Sequence, residues 1–419
     1  MVVVRRPVLI PPVLRENANF RRYFVGQSVS LLGDEVAAIA LPLTAVLALH
    51  ATAAQMGALT TVYLVPNLLF SIHAGVWIDR RGRRRQVMLA TDVLRGLVTA
   101  TIPIACALRH LTWVHVYVAS FLLGTLSAFF YVAYGGFFQT IVPRERYVEA
   151  NSLVHGSRAF SFLAGSSLGG VLVQLFRGPY ALVVDAASFL WSATLLGRID
   201  AEEPPRATGE ERGVTAGARW IAGNAVVRAQ LLGVATLNLF NFMFFALFLL
   251  FATRQLHVRP AALGIVLGVA SVGTLFGSFV TGRIARAIGV GPTFVLGCFL
   301  FPAPLVLVPA AFGPQWLVLL FLFVAELCSG FGLMLLDIMA GTISAAIVPP
   351  VLRSRVAGAF MVVNYGVRPL GTAMGGALGS TIGLRPTLWI ATVGALAGLL
   401  WLLPSPIPRL QGVPEQATS

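Results

Sequence analysis

The chain has 419 residues, 57% of them hydrophobic and only 11% charged, with a mean hydropathy of +0.83. A water-soluble protein could not bury that much apolar surface, which excludes a soluble enzyme or a cytosolic binding module. The net charge of +14 comes from 30 basic residues, every one an arginine, a bias that fits a GC-rich bacterial genome better than a nucleic-acid surface.

Apolar runs of about 20 residues, enough to cross a hydrocarbon core of roughly 30 Å as helices, follow one another along the chain. Broken at charged or Pro/Gly-rich points, they predict helices near 22–49, 56–78, 86–108, 113–137, 151–175 and 180–197. A second set is predicted near 229–252, 261–284, 291–311, 315–337, 355–380 and 386–403. The expected fold is an all-α polytopic membrane protein of about twelve transmembrane helices, with one six-helix bundle in residues 1–197 and another in 229–404. Residues 198–228 hold five arginines, five acids and the pair Pro204 and Pro205, and read as a solvated linker; residues 405–419 read as a tail. The first apolar segment is too long for a removable signal and lacks its small-residue cleavage site.

Most arginines fall in the N-terminal tail, the loop near 80, the segments near 144 and 353, the linker and the tail. Arg109, Arg177, Arg254, Arg259 and Arg385 occupy the alternate loops. This asymmetry places both termini and the linker in the cytoplasm. The chain also repeats itself. "GVWIDRRG" at 75–82 matches "GRIARAIG" at 282–289, "IVP" at 141–143 matches "IVP" at 347–349, and "GSSLGG" at 165–170 matches "GTAMGG" at 371–376. Offsets of 207, 206 and 206 residues describe one six-helix unit used twice in the same orientation, the arrangement of transporters whose halves rock about a central site.

Twelve helices in two repeats, with Gly75, Asp79, Arg80, Gly82, Arg83 and Arg84 in a Gly-x-x-x-Asp-Arg-x-Gly-Arg-Arg pattern between helices 2 and 3, resemble the major facilitator superfamily over essentially the whole chain. "GQSVSLLGDEVAAIALPL" in helix 1 and "ATDVLRG" in helix 3 resemble the bacterial drug and siderophore exporter branch. The resemblance implies that Asp79 belongs to a cytoplasmic latch closing the outward-open state. In physical terms, an aspartate at a helix end can also cap free amides. Arg286 stands where the second repeat would carry the matching acid, so the latch is expected to be asymmetric. In helix 5, Ser161, Gly165 and Gly169 recur every four residues and give a flat face for close helix packing. With Ser166 and Gly170 they resemble a worn form of the superfamily's antiporter motif, Ser161 replacing its first glycine and Ser166 its proline, so the kink a proline supplies is not guaranteed.

An ionisable group in mid-bilayer costs at least a few kcal/mol and is a functional candidate by default. The resemblance implies that helices 3, 6, 9 and 12 are peripheral and the others line a cavity. Asp92 and Arg95, three apart on helix 3, are expected to form a local ion pair supporting the latch, and Asp185 on helix 6 to serve as a structural hydrogen-bonding group. Asp34 or Glu35 and Glu326 lie near the middle of cavity helices from opposite halves. Adjacent helical residues point about 100° apart, so one of Asp34 and Glu35 is expected to face the cavity, and Asp34 is chosen because it sits in the exporter-like stretch. A carboxyl in a poorly solvated cavity can accept and release a proton as access alternates, so Asp34 and Glu326 are the expected proton- or substrate-coupling pair.

Arg158 and Arg368 are placed about one or two turns into helices 5 and 11, where they could bind an anionic group or snorkel to the interface. No arginine stands in residues 113–137, a departure from many proton antiporters. Asn238 and Asn241 among six phenylalanines of helix 7, and Tyr63, Asn67 and Tyr134, are further cavity candidates. Cys106, Cys298 and Cys328 lie singly in apolar runs and the six histidines lack ligand spacing, so no metal or other cofactor is expected. No phosphate-binding loop or nucleophile elbow points to an enzyme. The expectation is therefore a monomeric, multi-pass transporter in the inner (plasma) membrane of a bacterium. It would export a small amphipathic drug, siderophore or metabolite by proton antiport. A facilitator or importer of the same fold is the alternative, and a non-transporting scaffold would leave the mid-membrane carboxylates unexplained.

Overall fold

A computed structural model of the chain describes residues 11–201, 203, 214–349 and 352–412, the side chains at 72, 79, 214–216 and 354 lying outside that description. Among the described residues there is no strand, and twelve long helices follow in order. The first six are α1 (Ala18–Ala48), α2 (Ala53–Arg81), α3 (Arg84–Ala107), α4 (Trp113–Ile141), α5 (Tyr147–Phe176) and α6 (Gly178–Gly197). The second six are α7 (Ala225–Arg254), α8 (Pro260–Ile288), α9 (Val290–Leu300), α10 (Gln315–Ile347), α11 (Arg353–Thr381) and α12 (Leu384–Leu396). Among the described residues, eleven helical segments are long and apolar enough to cross a bilayer; α11, 29 residues long, carries Arg353, Arg355 and Arg368 and stands beside them.

Local chemistry sets the helix boundaries. The Asn17 and Asn224 side chains accept from the Phe20 and Val227 amides at 2.8 and 3.0 Å, capping α1 and α7. Thr52 and Gln55 form a capping box at the start of α2. Gly82 ends α2 at φ 63°, a left-handed conformation that glycine adopts at no steric cost. Two predicted helices are interrupted. After α9, Pro302 and Pro304 remove amide donors, and the chain continues as a 3-10 turn (Ala303–Val306) and a short helix (Leu307–Ala310). The last helix breaks after Leu396 and resumes at Leu399–Leu402.

The region read as a solvated linker is partly structured. A helix at Val214–Gly223 packs against α11, with Gly217 against the Arg355 carbonyl, and α7 begins at Ala225. Residues 204–213 and the tail beyond 412 lie outside the described residues. Glu203 reaches back to the first half. Its carboxylate accepts from the Arg84 amide and, at 2.8 Å, from the Arg85 amide, so a linker residue caps α3, whose own N-cap Arg83 provides no side-chain bond. An anion there also meets the positive pole of the helix.

Within the first repeat α1 packs against α5 and α6, α2 against α4, and α3 against α4 and α6; within the second, α7 packs against α11 and α12, and α10 against α8 and α9. Two main pairs join the repeats, α2 with α11 and α5 with α8, and α7 also touches α2 and α1. Both joints lie at the end of the bundle opposite the termini. A Cβ on Gly57 would meet the Gly376 Cα at 2.5 Å, Gly170 lies against Pro260 and Gly264, and Gly268 against Leu163 and Ser167. Thr61 and Thr372 hydroxyls meet at 2.7 Å. At the termini end, by contrast, a Cβ on Gly135, Gly156, Gly341 or Gly358 would meet nothing within 4 Å. The two repeats therefore touch at the far end and stand apart at the termini end. Large apolar side chains such as Leu97, Ile104, Phe279 and Trp401 are exposed, as a lipid-facing surface requires.

Candidate functional site

Near the middle of the first repeat, α1, α2, α4 and α6 surround a cavity of ≈290 Å³, closed on one side by Phe245 of α7. Asp34, Glu35 and Asp185 line it, with Tyr63, Ser127 and Tyr131. The expectation that only one of Asp34 and Glu35 faces a cavity is thus corrected, because this hollow wraps a wide arc of α1. Asp34 lies within the field of Arg95, Asp92 and Asp185. Glu35 points toward α5, where a Cβ on Gly165 would meet its Cβ at 2.6 Å.

Behind this wall Arg95 is 1% exposed. Its guanidinium is ion-paired with Asp92 and held between the rings of Phe130 and Phe189, at 4.0 and 4.3 Å from their centroids, a favourable cation–π sandwich. Arg95 Nε, Asp92 Oδ2 and Asp185 Oδ1 are buried without hydrogen-bond partners. The pair therefore does not support the loop at the end of the bundle as expected; it turns inward beneath the cavity, since α3 packs its buried face on α4 and α6. Asp185 goes beyond the hydrogen-bonding role expected of it: it also lines the cavity, and its Oδ1 has no hydrogen-bond partner. A helix can be peripheral while its long side chains reach the centre. Three carboxyls, Asp34, Asp92 and Asp185, thus share the field of one guanidinium, while Glu35 neighbours Asp34 on the cavity wall.

Breaking a buried pair by removing one partner costs about 3–5 kcal/mol. Arg95→Met is expected to lower the thermal unfolding midpoint of the purified protein sharply, and Asp92→Asn added to it to recover most of the loss. A double variant as unstable as Arg95→Met would show that the two charges do not depend on each other.

Glu326 is buried in α10 beside Ser329 and Gly330 and does not line this cavity, so Asp34 and Glu326 are not brought together. The helix-5 residues Ser161, Gly165, Ser166, Gly169 and Gly170 are all buried in a helix without an internal proline. They form two faces where one was expected: Gly165 and Gly169 lie against α1, at Glu35 and Val36, while Ser166 and Gly170 lie against Gly264 of α8. In the Gly75–Arg84 loop, Gly75 approaches Val132 of α4 and Arg84 lies over Gly136, while Arg80 and Arg83 are exposed. The side chain of Asp79 is outside the described residues.

Tyr63 lines the cavity. Tyr134 instead stacks on Tyr23 at 5.5 Å, with exposed Arg158 5.5 Å above its ring. Asn67 lies a turn beyond Tyr63, its carbonyl accepting from Ser71. Arg158 and Arg368 sit 11 and 15 residues into α5 and α11, deeper than expected because both helices begin earlier than their apolar runs. In the second repeat Asn238 donates to Asn364 Oδ1 at 2.9 Å, and Asn241 makes no hydrogen bond among the described residues. Arg368 shares an electrostatic environment with Asp337 of α10, a carboxyl the sequence reading passes over. An acid in the apolar run "FGLMLLDIMAG" meets the criterion that singled out Glu326, so the signal was present.

The sequence model described as Major Facilitator Superfamily matches residues 23–253 and 231–418. The multidrug efflux pump Tap of Mycolicibacterium fortuitum is 26% identical over 373 residues, 83% of this chain and 85% of the pump. The pump of the same name from Mycobacterium tuberculosis (strain ATCC 25618 / H37Rv) is 25% identical over 370 residues, 85% of each chain. Among solved structures, a bacterial homologue of the iron transporter ferroportin in its inward-facing state is 15% identical. It aligns at a TM-score of 0.76 over 92% of this chain and 98% of that one. The nucleoside transporter NupG is 11% identical, at a TM-score of 0.71 over 91% and 98%.

Proposed function

The chain belongs to the major facilitator superfamily, and from that premise we propose that it exports a small amphipathic molecule bearing a positive charge, in exchange for protons, by alternating access. One observation carries this reading: Asp34, Glu35 and Asp185 border one apolar-walled cavity, opposed by a single arginine already paired with Asp92. Carboxyls placed deep among membrane helices are costly as uncompensated anions, so each is at rest when it holds either a proton or a cation. That exclusivity is the basis of antiport: a cation entering displaces protons, and protons returning displace the cation. The efflux-pump relatives support the direction of transport.

The arginine asymmetry supports a plasma-membrane protein of a bacterium with both termini and the linker in the cytoplasm, its two six-helix bundles at 1–197 and 229–404 rocking as units and the protein acting as a monomer. On that orientation the far-end joints face outward, and the bundle described above is open to the cytoplasm. Asp79 is assigned to a latch that forms when the termini end closes.

Everted membrane vesicles provide the test. An imposed inside-acid gradient is expected to drive uptake of a fluorescent lipophilic cation, and a protonophore to abolish it. Uptake in right-side-out vesicles driven by an outside-acid gradient, with none in everted ones, would establish import instead. Absence of gradient-dependent flux of every dye, antibiotic and siderophore in a panel would overturn the export reading.

A further inference from the structure

The second repeat carries a polar site of its own, away from the acidic cavity. Asp337 is exposed although it lies ten residues inside the C-terminal end of α10. Its direction follows from its neighbours. Gly330 and Met334, about two turns and one turn before it, abut Ala270 and Gly277 of α8. Ala340 and Ser344, about one and two turns after it, are hydrogen-bonded to Gln230 of α7. Leu335 and Leu336, by contrast, meet Gly297 of α9. Asp337 therefore stands on the stripe of α10 between α8 and α7, turned toward the space between the repeats and away from α9.

Opposite it, on α11, Arg368 is half-buried with its guanidinium 4.4 Å from the Tyr365 centroid and 4.9 Å from that of Phe242. Its Nε is buried without a hydrogen-bond partner. The Asp337 and Arg368 charges act on each other, yet the two side chains are not among the ion pairs within 4.0 Å formed by the described residues. An acid and a base in mutual range but unpaired, one half-buried between aromatic rings, leave a gap with a negative and a positive side. The Asn238–Asn364 amide pair, 2.9 Å apart one turn below Arg368, holds α7 and α11 together beneath it and gives the gap a fixed floor.

We propose that Asp337 and Arg368 form a binding subsite for a dipolar group, taking a cationic or hydrogen-donating end at Asp337 and a carboxylate at Arg368. Arginine beside flat rings suits a planar carboxylate, which it can hold through two parallel hydrogen bonds, while the Phe242 and Tyr365 faces receive an adjoining aromatic body. The substrate class narrows from amphipathic cations in general to those that also carry a carboxylate on an aromatic frame. This deepens the transporter reading and rests on it for its meaning, but binding can be measured without flux, so the two fail separately.

The probes are a zwitterionic rhodamine bearing a free carboxylate and its methyl ester, titrated by fluorescence polarisation against the full chain in nanodiscs. A charge-assisted hydrogen bond contributes enough for the wild type to prefer the zwitterion by about tenfold or more. Arg368→Gln is expected to erase that preference by weakening the zwitterion alone. Asp337→Asn is expected to weaken both probes about equally and keep the preference. Equal affinity of the wild type for the two probes overturns the proposal, whatever the variants do. So does a preference that survives in Arg368→Gln, or unchanged binding of both probes by Asp337→Asn. Unfolding midpoints within a few degrees of wild type establish that both variants are folded; should either fail to fold, the wild-type preference between the two probes decides.

Discussion

Asp34→Asn is expected to abolish proton-driven efflux while leaving the protein folded and inserted. Asp34 is the cavity carboxyl on which Arg95, Asp92 and Asp185 all act, and amide for carboxyl preserves shape while removing the exchangeable proton. Coupling between two ligands is typically about 1–3 kcal/mol, or about 5- to 150-fold, so gradient-driven dye uptake should fall by one to two orders of magnitude. Glu35→Gln should be milder, because Glu35 stands apart toward Gly165 of α5. Measurement of dye uptake in everted vesicles, with and without a protonophore, decides the matter. Undiminished gradient-driven uptake in Asp34→Asn would remove Asp34 from coupling and shift attention to Asp185.

Closing the far end is expected to be as vulnerable as the cavity. Gly57 and Gly376 bring α2 and α11 together almost backbone to backbone, and a Cβ on Gly376 would meet the Gly57 Cα at 2.9 Å. Gly57→Leu or Gly376→Leu cannot be accommodated by rotamer changes, because the atoms in the way are main chain. Overpacking of this kind costs about 1–3 kcal/mol, against conformations that differ by only a few kcal/mol, so the population should shift to a state open at the far end. Each helix keeps its contacts within its own repeat, α2 with α4 and α11 with α7, so folding should survive. Transport should fall to background. In a background lacking Cys106, Cys298 and Cys328, a Ser120→Cys reporter in the cavity wall should become reactive to a membrane-impermeant thiol reagent from the outside. A normal transport rate in Gly376→Leu would show that the seam is not a gate.

The fold was readable from sequence because its determinants are long and redundant: twelve apolar runs, a doubled motif at a constant offset, and arginines sorted by loop. The candidate site was readable only in part. Asp34 and Glu35 declare themselves as acids in an apolar run, but whether a side chain on a helix of the outer ring reaches inward depends on rotation and packing that a single periodicity does not fix. Arg95 and Asp185 therefore read as peripheral from sequence, and helix 4 as lacking an arginine, although Arg95 of α3 lies on Phe130 of α4. The two-faced role of α5 was hidden for a similar reason. Gly165 and Gly170 differ by about 140° around the helix, yet sequence spacing alone does not say that a partner waits on each side. Asp337 needed no structure to be noticed, but its place across from Arg368 did.

The linker is pinned at both ends. Glu203 holds the amides that open α3 in the first repeat, and the helix Val214–Gly223 lies on α11 in the second. What joins the halves at the termini end is therefore not thirty residues of slack but the chain between 203 and 214, whose contour cannot exceed roughly 40 Å. Covalent reach of that length is an upper limit on how far apart residues 203 and 214 can stand in any state. Deleting residues within it would act as a brake, leaving binding at both sites intact while limiting how far the termini end can open.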